Sequence, residues 1–483
     1  MKNVRNASCV GRLSFLSAEQ KRDVYNAALE VLATVGMVVQ HEGARDLLRD
    51  AGAHETAAGR VLIPKHLVEA ARLSAPAMVN VYDRGGMLAM ELGGYNSYFG
   101  TGSDLMFTYD LESGERRPSV LEDVRRAARL CDALPNIDFI MSSAHPTDQN
   151  PHHSYLLSFE AMLENSTKPL VMTAENDGDL GVMIAVAAAL RGGAQELRDK
   201  PYFVVYNEPT SPLTHPVESV DKLLLCADAG VPAIYSPAPL AGATAPVTVA
   251  GHLVQGLAES LFGLVMHQLR RPGAPFLIGV GSAVLDLSTA QSSYNDYGYL
   301  AGYMCLVEMA KWLDLPNWGN AGTSDSQVFD AQAGMEASQI TFLAMQAGSN
   351  LAHDVGYLDF GLTCSLEEIV AMDEFIALNR KLLQGFEIDR ETLAVEAVAK
   401  VGPGGNFMAS KHTRQHIREG WRPTILNRFG RDGWLAAGSL DLAARARDKA
   451  QGLLAAREVP PLPPDVAEAA ARLIGEFTAA TPA

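Results

Sequence analysis

From about residue 97 the chain alternates two hydrophobic patterns. Short runs rich in β-branched or aromatic residues predict strands at Ser97–Gly102, Asp138–Ser143, Pro169–Thr173, Tyr202–Tyr206, Ala233–Ser236, Pro275–Val280, Asn317–Ala321 and Asn350–Asp354. Between them, longer amphipathic stretches predict helices near Leu121–Ala133, His153–Leu163, Asp179–Leu190, Val217–Ala229, Val247–Arg270, Tyr299–Leu313 and Gln332–Gln346, with a last one at Leu366–Leu383. The runs at 201–206 and 275–280 are apolar at consecutive positions, the signature of strands buried on both faces. Eight strand–helix repeats are the number that closes a β/α (TIM) barrel, so the predicted fold is α/β, an eight-stranded barrel. An open doubly wound sheet rarely needs so many parallel strands, and no GxGxxG fingerprint follows the first one.

The pattern differs on either side of this stretch. Residues 1–95 predict a helical segment packed on the barrel, 96–390 the barrel itself, and 391–483 a C-terminal extension. Ser17 followed by Gln20 is a capping-box pattern opening a helix that Gly36 stops, and two more helices follow near Glu42–Ala51 and Pro64–Leu73. Past 390 come a glycine-rich turn at Val401–Asn406, a proline-rich connector at Val459–Val466 and an Ala-rich final helix, all expected to clamp the barrel from outside.

Composition narrows the function classes. With 48% hydrophobic and 20% charged residues the chain is that of a soluble globular enzyme. A net charge of −17 and the lack of Lys/Arg clusters disfavour nucleic acid, whereas acidity suits cationic substrates. Cys9, Cys131, Cys226, Cys305 and Cys364 form no CxxC pair, which argues against disulfides or a thiolate zinc site and for a reducing cytoplasm. The N-terminus has no sustained apolar core, and apolar stretches such as Leu261–Met266 are too short to span a bilayer, so no membrane association is expected.

Barrel enzymes carry their chemistry where strands end. The predicted ends are Thr101–Asp104, Ser143–His145, Thr173–Glu175, Asn207–Glu208, Ser236–Pro239, Gly281–Ser282, Gly322–Asp325 and Ala352–Asp354. Carboxylates recur there (Asp104, Glu175, Glu208, Asp325, Asp354) without any Lys or Arg, and Tyr98, Phe99, Tyr206, Tyr235, Trp318, Tyr357 and Phe360 are interleaved. Such a rim suits a methylated ammonium, held by ring faces and negative potential. Any single carboxylate could equally cap the next helix. The candidate catalytic residues are His353, Asp354, Glu208 and Asp104; the candidate substrate contacts are Tyr98, Phe99, His145, Asn207, Gln332, Tyr357 and Phe360. His412 and His416 share a helix face at i, i+4, but residues 413–415 do not complete an HExxH motif and no metal site is expected. Walker and GxSxG motifs are absent.

Longer strings carry a resemblance. Gly100–Asp104, Tyr206-Asn-Glu-Pro-Thr-Ser-Pro-Leu213, Ser236–Pro246, Gly348–Leu358 and a C-terminal Gly-Gly-Asn-Phe followed by His-Thr and His resemble the trimethylamine methyltransferase family. The resemblance implies a β/α barrel that moves a methyl group from a methylamine to the cobalt of a separate corrinoid protein, with no cofactor bound tightly by the chain itself. A homo-oligomer is expected. Trimethylamine-specific members carry pyrrolysine, and the loops at Thr323–Gln332 and Asn350–Tyr357 are where its equivalent would fall; this chain has only standard residues. Relatives without pyrrolysine include enzymes for quaternary amines such as glycine betaine.

Leaving-group chemistry explains why that residue is dispensable. A quaternary ammonium departs as a neutral tertiary amine, whereas a tertiary amine would leave as an amide anion unless activated. A quaternary substrate therefore needs desolvation and orientation more than a general acid. No DxHxxG motif is present, so the corrinoid is expected on a partner. Two other readings stay open: a metal-assisted hydrolase or lyase on the same barrel, and a non-catalytic betaine-binding protein.

Overall fold

The computed structural model describes residues 12–279 and 283–480; the expected strand end at Gly281–Ser282 and Cys9 lie outside the described residues. The Ser17 capping box is formed, its hydroxyl accepting from the Gln20 N–H at 3.2 Å and the Gln20 side chain accepting from the Ser17 N–H at 2.9 Å. The helix it opens, Ala18–Glu30, widens into a π turn over Val31–Val35, and Gly36 ends it at φ +69°. Helices Glu42–Asp50 and Lys65–Ser74 follow as expected. The lead-in also contains strands, above all a hairpin of Met78–Tyr82 against Leu88–Gly93.

The central sheet has seven parallel strands: β1 Tyr98–Phe99, β2 Leu170–Met172, β3 Phe203–Asn207, β4 Ala233–Tyr235, β5 Phe276–Gly279, β6 Asn317–Asn320 and β7 Leu351–His353. Their spatial order is β1-β7-β6-β5-β4-β3-β2, so successive strands from β2 to β7 are neighbours and β1 joins β7. An eighth strand over Asp138–Ser143 was expected. The segment instead makes one isolated parallel bridge to each edge, Gly100 with Phe139 and Ile140 with Leu170. The reason is local: the Thr101 hydroxyl donates to the Met141 carbonyl and accepts from the Met141 N–H, both at 3.0 Å, in place of ladder bonds between backbones. Asp138 ties the segment to β1 by accepting from the Phe99 N–H at 2.9 Å and pairing with buried Arg380.

The period-2 alternation of each strand sorts its side chains between two cores. Tyr98, Val171, Val204, Ile234, Leu277, Trp318 and Leu351 share the interior with Phe139 and Met141. Val79, Val81, Met90 and Leu92 of the hairpin belong to the same cluster, and the Tyr82 N–H bonds to the Pro201 carbonyl just ahead of β3. The hairpin thus plugs the amino end of the strands rather than lying outside. Side chains of opposite parity, such as Phe99, Phe203, Tyr235 and Ala352, pack into the outer core under the helices.

Helix Val249–Arg270 is long and apolar enough to cross a membrane by length and composition, but it is mostly buried against helices Ala18–Glu30, Lys65–Ser74, Val217–Ala229 and Tyr297–Trp312. Helices Leu442–Ala456 and Pro464–Ala480 pack back onto Leu366–Leu383 and Asp177–Arg191. Cys131, Cys226, Cys305 and Cys364 are buried free thiols.

Candidate functional site

At the carboxyl ends of the strands lies a cavity of about 320 Å³. Its wall includes Asp104, Glu208, His353, Asp354 and Tyr357, all anticipated from the strand ends. It also includes Tyr206, Trp318 and Asn320, whose parity on β3 and β6 points them inward, and Tyr294, which the sequence reading did not single out. Among the described lining residues none is Lys or Arg.

His353 and Asp354 form the centre. The His353 ring stacks on Trp318 at 3.9 Å between centroids and 26° between planes. Its Nδ1 lies 2.7 Å from the Gly319 carbonyl, which can only accept, so Nδ1 carries the proton and Nε2 presents its lone pair. That Nε2 faces Asp354 Oδ1 at 3.2 Å. Burial lowers His353 from 6.5 to about 3, and burial raises Asp354 from 3.8 to about 8 against its hydrogen bonds to Asn320 and Tyr357. Burial therefore pushes both groups toward their uncharged forms. The Asn320 amide also donates to Asp354 Oδ2.

Backbone strain is concentrated here. Asp354 and Asp104 adopt φ of +76° and +67°, a conformation costing on the order of 1–3 kcal/mol for a non-glycine residue and found where structure around it enforces the geometry. Gly102 has no alternative, because a Cβ there would fall on the Tyr357 hydroxyl and Asp354 Oδ1. Tyr357 in turn donates its hydroxyl to the Ser103 carbonyl. Tyr206 donates to Glu208 Oε2 at 2.7 Å and its ring lies 5.8 Å from that of Trp318. Asp325, one of the rim carboxylates, holds the opposite loop: it accepts from Ser293 Oγ at 2.5 Å and from the Tyr294 N–H at 3.0 Å, and so presents Tyr294 to the cavity.

Six of the anticipated residues are not brought to the cavity wall. Tyr98 lies at the amino end, its hydroxyl accepting from the Glu91 N–H at 3.0 Å. Phe99 has the opposite parity and packs in the outer core. Asn207 also has outward parity and is fully buried, with neither side-chain polar atom paired in the hydrogen-bond geometry. Gln332 is exposed on helix Ala331–Ala347 and donates to Glu336 at 3.0 Å. Phe360 is half-buried at φ +56° beyond the wall. His145 lies 4.0 Å from Asp104 Oδ1 and edge-on to Tyr155 at 6.2 Å.

His412 and His416 share one short helix with ring centroids 4.4 Å apart. Among the described residues no three His, Cys, Asp or Glu side chains converge as a metal site.

The family model for trimethylamine methyltransferase (MTTB) matches residues 2–480. The trimethylamine methyltransferase MttB of Desulfitobacterium hafniense is 30% identical over 96% of this chain and 94% of its own length. The glycine betaine methyltransferase of another strain of that species is 29% identical over 94% of this chain and 95% of its own. Among solved structures, the monomethylamine methyltransferase MtmB of Methanosarcina barkeri shares the fold with a TM-score of 0.51 at 13% identity, covering 93% of this chain and 90% of that one.

Proposed function

The chain belongs to the trimethylamine methyltransferase family, and from that membership and the cavity we propose that it moves a methyl group from a quaternary, or less readily a tertiary, methylated amine to the corrinoid of a separate protein. The observation that carries this reading is the cavity wall: Tyr206, Tyr294, Trp318 and Tyr357 surround a site with three carboxylates and no described Lys or Arg. Ring faces and acidic groups are what a methylated ammonium binds. In the same reading the segment 138–143 is the eighth stave of a β/α barrel, which places the cavity where such barrels carry their chemistry.

The residues fit an acceptor that arrives from outside. At about 320 Å³ the cavity is at the small end of ligand pockets, sized for a small amine rather than a corrin ring. Its rim residue Asp104 is 42% exposed, whereas the inner wall at Asp354 is buried. The corrinoid, when its carrier docks, supplies a Co(I) electron pair to which the methyl carbon bonds as the C–N pair leaves on nitrogen. The chain's own part is to orient and desolvate. The rings hold the ammonium with one methyl toward the opening. The ammonium charge favours the ionised form of Asp354, whose proton is released to solvent as the cation binds. His353, locked between Trp318 and the Gly319 carbonyl, fixes the position of that carboxyl.

The test is methyl transfer to Co(I) cobalamin, followed by its spectrum, with a panel of quaternary and tertiary amines. Methylcobalamin formed from at least one quaternary amine is expected. No transfer from any amine in the panel would overturn the reading.

A further inference from the structure

The cavity distinguishes between kinds of quaternary ammonium, and here the inference rests on the proposed methyl-transfer reading. A zwitterionic betaine needs a cation or free donors for its carboxylate. The sequence offers Asn207 and Gln332 as such contacts, but both lie away from the wall. Most of the side-chain donors that do line it are engaged within the protein. Tyr206 Oη donates to Glu208 at 2.7 Å, Ser103 Oγ to Asp104 at 2.6 Å, His353 Nδ1 to Gly319 at 2.7 Å, Tyr357 Oη to the Ser103 carbonyl and Asn320 Nδ2 to Asp354. The Tyr294 hydroxyl has no described acceptor, and the Trp318 Nε1–H is buried without one.

Acceptors are in surplus instead. Glu208 uses Oε2 for Tyr206 and keeps Oε1, and Asn320 Oδ1 is buried without a hydrogen-bond partner. A substrate carboxylate would enter among Asp104, Glu208 and Asp354, where like charge opposes it and few donors compensate. A hydroxyl or other donor would meet free oxygens. We infer that the preferred substrate is a quaternary ammonium whose remaining arm ends in a hydrogen-bond donor and carries no carboxylate.

Choline and glycine betaine test this directly, since they share the trimethylammonium head and differ in hydroxymethyl against carboxylate. The full-length protein is titrated with each by calorimetry, and each is assayed as methyl donor to Co(I) cobalamin. Choline is expected to bind at least tenfold more tightly. The near-isosteric Asp104→Asn and Glu208→Gln, singly and together, should narrow that ratio at least threefold by weakening choline and improving betaine. Both positions are at the exposed rim, so folding is not at stake. Betaine binding equal to or tighter than choline would overturn the inference, as would a ratio unmoved by both substitutions. Turnover of betaine without turnover of choline would overturn it while upholding methyl transfer; neither binding nor turnover of either probe, with no other amine active, would sink both.

Discussion

The interior enclosed by the strands has two unlike ends. At the amino end Val79, Val81, Met90 and Leu92 of the hairpin cluster with Tyr98, Val204 and Leu351. At the carboxyl end, two to four residues further along the same strands, Glu208, His353 and Asp354 face a cavity, and Asp104 and Asp354 sit in strained backbone. One end is packed to hold the fold and the other is left open, polar and strained. The division teaches that loss at the two ends should be separable: stability without affinity at one, affinity and rate without much stability at the other.

Leu92→Ala should cost the most, about 2–5 kcal/mol of unfolding free energy, because Leu92 is fully buried and its removal leaves a void. Urea unfolding measures it. Amine affinity of the folded variant should stay within about twofold, and a parallel collapse of affinity would break the comparison.

At the other end, His353→Ala should lower kcat/KM for methyl transfer by about 100-fold or more, since the ring both stacks on Trp318 and faces Asp354 Oδ1 at 3.2 Å. Unchanged transfer would remove His353 from the site.

Asp354→Asn isolates the pH response. A carboxyl raised from 3.8 to about 8 keeps a proton in the folded protein that the unfolded chain has released, so it costs stability as pH climbs through that interval. His353, lowered from 6.5 to about 3, has the opposite sign and offsets it up to about pH 6.5. Between about pH 6.5 and 8 Asp354 should therefore remove up to about 2 kcal/mol, by 1.36 kcal/mol for each pKa unit, read as the change in the stability difference between the wild type and the Asn variant, since Lys311, lowered to about 7, adds stability with opposite sign in both proteins. Over the same range cation affinity of the wild type should rise, because binding favours the ionised carboxylate, and calorimetry in two buffers should show a released proton. Parallel stability profiles of the wild type and the Asn variant would contradict the raised carboxyl.

The smallest effect is expected from Tyr294→Leu. A cation–π contact contributes roughly 0.5–2 kcal/mol, so binding should weaken about 2- to 30-fold, with stability nearly unchanged. An unaltered affinity would take Tyr294 out of the cage.

The parts of the site that could be read from the chain are those that follow from position along a strand. Glu208, His353 and Asp354 end strands whose apolar runs mark them clearly, and Gly102 and Asp104 sit in the Gly100–Asp104 string that carried the family resemblance. Parity is equally legible in the chain: with Tyr206 facing in, Asn207 has to face out, and with Tyr98 in the interior, Phe99 packs behind it. Applied to β6, the same rule selects Trp318 and Asn320. Tyr294 and Gln332 are different. One precedes a helix in a loop held by Asp325 from a distant strand end, and the other opens a helix whose first turn faces solvent; neither fact is written near those residues.

The sequence by itself thus determined the strand–helix rhythm, the capped first helix, the acidic and aromatic rim free of Lys and Arg, and membership in a methyltransferase family. All of these depend on composition, period or local hydrogen bonding. Tertiary structure alone decided that the hairpin plugs the amino end, that Thr101 replaces a ladder with Met141, and that burial pushes Asp354 and His353 toward their uncharged forms. Those outcomes depend on which groups from distant segments meet and on how much water they lose in meeting. Desolvation is a property of the assembled surroundings and not of any residue in the chain.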